Sequence, residues 1–317
     1  MQVTTTHVAL SQDIAVPRAT PDPPDLAALL QSWLLELRAE HKSDATLKVY
    51  GDGVRAYLRW CAEQGRPAVR DRPSVVAFVA DLLGAGAEPA TARSRQLALR
   101  RFSAYLADEG EVPADLLLGI KPPKLDAKVV PRLTEEQVRA LLAACRGPEM
   151  RDRRDDALVR LMVETGMRAG EAVALQVSDV DLTRGTAVVR RGKGGKGRIV
   201  PFGPRTARAV DRYLRARRTH RLADTDALWL GDRGKAFSYD ALHKTLGERA
   251  AAAGVAGFHP HVLRHTAAQR WLDAGGSEGG LMAVAGWTRR DMLDRYTRAT
   301  AAERAVTESR TLRLGDL

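Results

Sequence analysis

Two short runs and one tyrosine carry most of the chemistry that this sequence offers. Thr165-Gly166-Met167-Arg168-Ala169-Gly170-Glu171 sets an arginine just after a helix-ending glycine, and His261-Val262-Leu263-Arg264-His265-Thr266 sets a second arginine beside two histidines. Tyr296 follows, about 130 residues after the first run begins. Cations, an imidazole and a phenol together fit phosphoryl transfer. A phosphate diester is already anionic, and its five-coordinate transition state gathers more charge, so fixed donors aimed at the non-bridging oxygens lower the barrier. Arg168 and Arg264 suit that task because a guanidinium stays charged and gives two parallel N–H bonds to one phosphate. A tyrosine ordinarily titrates near about 10. Tyr296 therefore needs a cationic pocket, or proton transfer in the transition state, to attack at neutral pH.

Three other motifs carry less than they promise. Gly192-Lys193-Gly194-Gly195-Lys196-Gly197 spells a dinucleotide fingerprint, but that site needs a helix after the glycines, and Arg198-Ile199-Val200-Pro201 reads as a strand. His259, His261 and His265 invite a zinc reading, yet no carboxylate completes an H-E-x-x-H pattern and Arg264 stands among them. No phosphate-binding G-x-x-x-x-G-K-[ST] loop occurs. Neither a metal nor a nucleotide cofactor is expected.

The elements that must position these residues are mostly helices. From Asp25, Leu26, Leu29, Leu30, Trp33, Leu34 and Leu37 mark one buried helical face. Helices are predicted over Asp44 to Gln64, Ser74 to Leu83 and Ala90 to Ala107, separated by Gly/Pro punctuation. The last of these carries Arg93, Arg95, Arg100 and Arg101, a face for DNA phosphates or a plain solvated surface. Thr134 and Gln137 form a capping box ahead of Val138, Leu141 and Leu142. A further helix ends at Thr165-Gly166 and another starts near Ala169. Thr186 to Arg191 and Arg198 to Phe202 read as two strands of a hairpin crowded with Arg190, Arg191, Lys193, Lys196 and Arg198. The rest is mainly helical.

Composition sets the frame. The 317 residues suffice for two domains, and 50 Lys plus Arg against 39 Asp plus Glu give a formal net charge of +11, which favours a polyanionic partner. Cys61 and Cys145 are the only cysteines, so no disulfide framework or four-cysteine zinc site is available. Met1 to Pro24 lacks a cationic start followed by an apolar run, and no stretch reaches about 18 uninterrupted apolar residues. A soluble, cytoplasmic, nucleoid-associated protein with no membrane partner is expected.

With these residues in hand, the chain resembles the tyrosine recombinases, or phage integrase family. The likeness lies in T-G-x-R-x-x-E at Thr165 to Glu171, the hairpin Lys193, H-x-L-R-H at His261 to His265, Gly286-Trp287 and the terminal Tyr296. The intervals match as well, with Trp287 26 residues after His261 and Tyr296 nine after Trp287. Trp287 stands where many members have histidine. Indole donates one N–H but cannot shuttle a proton, so its role is either a phosphate contact or packing behind the Tyr296 helix.

The resemblance implies a mainly α fold with a small β-hairpin or sheet. A flexible arm (1–24) would precede a helical SAM-like core-binding domain (25–112), a basic linker (113–131) and a mixed α/β catalytic domain with its tail (132–317). It implies attack by Tyr296, a 3′-phosphotyrosine and a free 5′ hydroxyl. Lys193 would protonate the departing oxygen, His261 assist proton transfer or bind phosphate, and Glu171 orient the cluster. His265 would support the helix presenting Arg264. The implied partners are double-stranded DNA, four protomers on two sites, docked through the segment after Tyr296, and candidate DNA-bending or directionality factors. Type IB topoisomerase-like relaxation and a non-catalytic DNA-binding relative are the alternatives.

Overall fold

The computed structural model describes residues 25–68, 71–125, 131–190, 197–297 and 309, in two compact units divided between residues 128 and 129. The expected N-terminal arm lies outside the described residues.

Among the described residues the first unit holds four helices: α1 (Leu26–Ala39), α2 (Asp44–Glu63), α3 (Arg72–Gly84) and α4 (Pro89–Asp108). Their starts follow from local chemistry. Asp25, Ser43 and Asp71 each accept N–H bonds from the first turn that follows them. Leu26, Leu30, Trp33 and Leu37 are the buried stripe of α1. Trp33 stacks on Tyr50 at 5.5 Å and meets Phe102 at 5.2 Å, tying α1 to α2 and α4.

This core does not stop at residue 112, where the linker was expected to follow. Leu117 and Ile120 are buried in it, Gln96 Nε2 donates to the Lys121 carbonyl at 3.2 Å, and Arg72 donates to that of Leu118 at 3.1 Å. Asp115 turns the chain, accepting from Leu117 N–H at 3.0 Å. The prolines and lysines of this stretch suggested a spacer. Its two buried apolar side chains decide the matter as far as Lys121.

In the second unit, α5 (Glu135–Ala144) begins with the expected Thr134–Gln137 capping box. It leads to α6 (Met150–Thr165), α7 (Ala169–Val173) and an antiparallel sheet of β1 (Val180–Asp181), β2 (Thr186–Val189) and β3 (Arg198–Pro201). Strand β1 was not foreseen, two residues being too short for a periodic signal. Ala187, Val189 and Val200 face the core while Val188 and Ile199, paired across the strands, face out. Then come α8 (Pro204–Arg217), α9 (Tyr239–Ala252), α10 (Pro260–Asp273), α11 (Glu278–Ala285) and α12 (Arg290–Thr297).

The main core gathers around α6, with Leu158, Leu161 and Met162 fully buried. Trp229 stacks on Tyr213 and donates to the Ala172 carbonyl at 2.8 Å, pinning the short α7. A second cluster of Leu272, Leu281, Ala285, Trp287, Leu293 and Tyr296 joins α10, α11 and α12. The two helices that end the described chain thus have their own packing.

Candidate active site

Gly166 closes α6 in the left-handed conformation, φ 63°, and a Cβ there would sit 3.2 Å from that of Ala267. That turn lets the chain reverse at once into α7, which begins after Arg168. Glu171, three residues on, reaches back to the Arg168 N–H at 2.8 Å and to its guanidinium at 2.7 Å. The same carboxylate receives two bonds from Arg198, at 3.1 and 2.7 Å. Burial pushes the Glu171 carboxyl up, but the bonds from Arg198 and Arg168 outweigh it and hold the pKa at about 2.

This corrects the reading of Arg198 as a DNA-facing hairpin cation. Its side chain is 10% exposed and its Nε donates to the Val284 carbonyl at 2.7 Å. It lies two residues from the inward-facing Val200, and strand alternation turns both the same way. Glu171 is therefore a bridge between the α6–α7 turn and β3.

Arg264, in the second turn of α10, is 2% exposed. It donates to the Gly166 carbonyl at 2.7 Å and the Ala285 carbonyl at 2.8 Å, so one guanidinium ties the ends of α6 and α11 to α10. Burial first, then Arg168, lowers its pKa to about 10, which leaves it cationic at neutral pH. Arg168 is the more open of the two, its side chain 27% exposed.

Gly286 ends α11 with φ 65°. The Trp287 N–H then bonds the Met282 carbonyl at 2.9 Å, and the chain turns so that the buried indole stacks on Tyr296 at 5.2 Å and 18°. The Arg264 guanidinium lies 5.2 Å over the indole ring. Trp287 Nε1 is buried and bonds no partner among the described residues. Tyr296 is 7% exposed, and burial raises its pKa to about 12 against the opposing pull of Arg264 and Arg295.

His261 is exposed at the start of α10, its ring edge-on to His265 at 4.6 Å. Desolvation, then Arg264, His259, Arg168 and Arg295, push its pKa down. His265, expected to support the helix presenting Arg264, has a contact the sequence did not suggest: its Nδ1 is in hydrogen-bond contact with the Tyr296 hydroxyl. Helical spacing from His261 and adjacency to Arg264 were visible in the sequence. The pairing with a residue 31 positions away was not.

Arg168, Glu171, Arg264, His265, Trp287 and Tyr296 thus form one connected cluster, with Arg198 added and His261 at its edge. Among the cations predicted to meet DNA, Arg93 and Arg101 are exposed on α4 while Arg95 and Arg100 are half-buried. Arg190 is exposed and paired with Asp179 and Ser178. Lys193, Arg191 and Lys196 lie outside the described residues. Among those described, no group of His, Cys, Asp or Glu could hold a metal, and no helix is long and apolar enough to cross a membrane.

Both units are mainly helical, and this cluster lies in the second. The chain belongs to the phage integrase family, whose model matches residues 131–303, with its N-terminal SAM-like domain matching 30–110. Tyrosine recombinase XerD of Corynebacterium glutamicum is 33% identical over 287 residues, which cover 86% of this chain and 94% of that protein. A crystal structure of the XerH site-specific recombinase on its palindromic difH substrate, a post-cleavage complex, superposes with TM-score 0.70 at 19% identity, over 88% of this chain and 83% of that one. A lambda integrase tetramer on a Holliday junction gives 0.64 at 17%, over 83% and 77%. At such identities these two likenesses are of fold.

Proposed function

We propose that Tyr296 is the nucleophile of a site-specific recombinase and that Arg168, Arg264 and Trp287 bind the phosphate it attacks. The observation that carries this reading is the convergence of two guanidiniums, a buried indole N–H without a partner among the described residues and a phenol from four separated stretches of chain. A phosphodiester would take N–H bonds from Arg168 and from the donors of Arg264 not spent on carbonyls, and the Trp287 N–H would satisfy a third acceptor. Trp287 thereby both contacts phosphate and holds the phenol by stacking. Glu171 acts through the arginines, fixing where Arg168 points.

The phenolic oxygen bonds to phosphorus while the P–O5′ bond breaks, leaving the protein on the 3′ phosphate. Lys193 gives the departing oxygen its proton. The reverse attack, by the 5′ hydroxyl of a partner strand, rejoins DNA without a nucleotide cofactor because the ester keeps the bond's energy. The kinship with a protein crystallised as a tetramer on a Holliday junction supports four protomers acting on two sites. Accessory DNA-bending or directionality proteins are candidate partners in choosing between outcomes.

A nicked suicide duplex tests the assignment. Tyr296→Phe loses the covalent adduct while gel-shift affinity stays within about twofold, since removing one hydroxyl leaves the cationic contacts in place. An adduct that persists in this variant refutes it.

A further inference from the structure

Away from the catalytic cluster, α6 and α8 border an open cavity of about 700 Å³, within the span of small-molecule sites. Thr206 bonds Glu164 and Arg212 bonds Asp156, so the two helices run antiparallel. Arg153, Asp156 and Arg160 share one face of α6 by their spacing of three and four, and Arg212 and Arg215 share one face of α8. Arg146, between α5 and α6, completes the cationic lining. Five arginines thus meet two aspartates, Asp152 and Asp156, a surplus of three positive charges. Asp156 lies ten residues before Gly166, about 15 Å along the helix at roughly 1.5 Å per residue. No member of the catalytic cluster lines the cavity.

The pairing inside it differs from that on the rest of the unit. Exposed arginines elsewhere commonly have a carboxylate each, as Arg132 has Asp273, Arg270 has Glu135 and Arg289 has Asp291. In the cavity the buried Asp156 serves two, accepting from Arg160 Nε at 2.9 Å and from Arg212 at 3.1 Å. Asp152 is spent on Arg249, at 2.6 Å. Arg146 and Arg153 are exposed and pair with no carboxylate among the described residues. Asp156 therefore fixes two guanidiniums while using one donor of each, and leaves their other N–H groups, with those of Arg146 and Arg153, for a ligand.

We infer that this cavity is a second ligand site of the catalytic unit and that it binds a compact polyphosphate, an inorganic chain or the triphosphate of a nucleotide. Cations crowded on one concave wall repel one another, and the wall concentrates their field on whatever anion enters. Three linked phosphates carry enough charge to offset the surplus, and each presents oxygens to the paired N–H groups of a guanidinium. A duplex is convex and would meet the rim of such a cavity, not its floor. Recognition here is by side chains, so the missing glycine loop of the sequence has no bearing on it. The inference does not depend on the assignment of Tyr296. Occupancy would tie α6 to α8 through shared anion contacts and stabilise the fold by mass action.

Isothermal titration of the full-length protein with sodium tripolyphosphate, in a buffer free of phosphate, tests this. One equivalent should bind per chain, and the melting temperature should rise with ligand concentration. The double variant Arg146→Glu/Arg153→Glu breaks no ion pair among the described residues, so it should keep the wild-type circular dichroism spectrum. It should bind at least about tenfold more weakly, the usual scale for losing one hydrogen bond to a charged group. Arg139→Glu/Arg184→Glu makes the same change of charge at exposed positions outside the cavity and should stay within about twofold of wild type. Adenosine triphosphate, titrated without magnesium, identifies the source: binding of both ligands supports a site for any triphosphate chain, and binding of tripolyphosphate alone supports one for the inorganic chain. No saturable binding, or equal loss in the two double variants, overturns the inference. So does a signal that survives Arg146→Glu/Arg153→Glu and vanishes in Arg168→Ala, which would put the anion in the catalytic cluster. Displacement of tripolyphosphate by a short duplex at equal phosphate concentration overturns it as well, making the cavity a DNA contact.

Discussion

Replacing Glu171 by glutamine removes one negative charge and almost no volume, and the structure sets the size of the effect. The carboxylate is 5% exposed and receives bonds from Arg168 and Arg198. Burial raises its pKa, but those arginines bring it from the ordinary 4.5 to about 2. That displacement corresponds to about 3 kcal/mol between its protonated and ionised forms. Because the folded-state pKa is depressed, this stabilisation is complete above pH 4.5 and disappears as pH falls toward about 2. Linkage puts roughly half of it already lost by pH 3.

Glu171→Gln leaves two guanidiniums facing each other, so at neutral pH the cost should be about 3 to 5 kcal/mol, the usual range for breaking a buried pair from one side. The informative quantity is how that cost changes with pH. Urea unfolding followed by circular dichroism at pH 7 and about pH 3 should show the difference between wild type and variant shrinking by about 1.5 to 2 kcal/mol at the acid end. Taking the difference cancels the other carboxylates, which titrate in both proteins. A penalty independent of pH, or one below about 1 kcal/mol, would show that the two arginines are held by something other than this charge.

Two further outcomes separate the remaining cations. If Lys193 supplies the leaving-group proton, a bridging 5′ sulfur, which needs none, should restore cleavage to Lys193→Ala but not to Arg264→Ala. Equal rescue of both, or of neither, refutes that division. DNA affinity should fall steeply with salt, by about 10³ to 10⁵ between roughly 50 and 200 mM for a clamp on about 6 to 10 phosphates. Arg93→Ala or Arg101→Ala should lower the logarithmic salt slope by about 1, whereas Arg198→Ala should lower thermal stability and leave the slope unchanged. A slope that responds to Arg198 and not to the α4 arginines would reverse the correction made from the structure.

What the sequence disclosed and what it withheld divide along a physical line. Helix limits were legible because their causes are local: an Asp25 or Thr134 side chain meets N–H groups two or three residues away, and Gly166 and Gly286 sit where the backbone must turn left-handed. The Arg168–Glu171 relation came only through the family resemblance, although it is a reach of three residues at a helix start and so has an equally local cause. Leu117 and Ile120 were misjudged because two apolar residues among prolines have no period, and their burial depends on a core built elsewhere.

The pairs that define the site's electrostatics span longer gaps, 27 residues from Glu171 to Arg198 and 31 from His265 to Tyr296. Composition cannot tell an arginine that meets DNA from one that meets a carboxylate, since both are cations on a hairpin. Strand alternation could have told them apart, because Arg198 shares its face with the buried Val200 and not with the exposed Ile199. The consequence is that the basic hairpin is a weaker index of phosphate contacts than its charge count implies. Arg198 is spent inside the protein holding Glu171, and Glu171 in turn decides where Arg168 can point, so the more buried cation sets the geometry of the more open one.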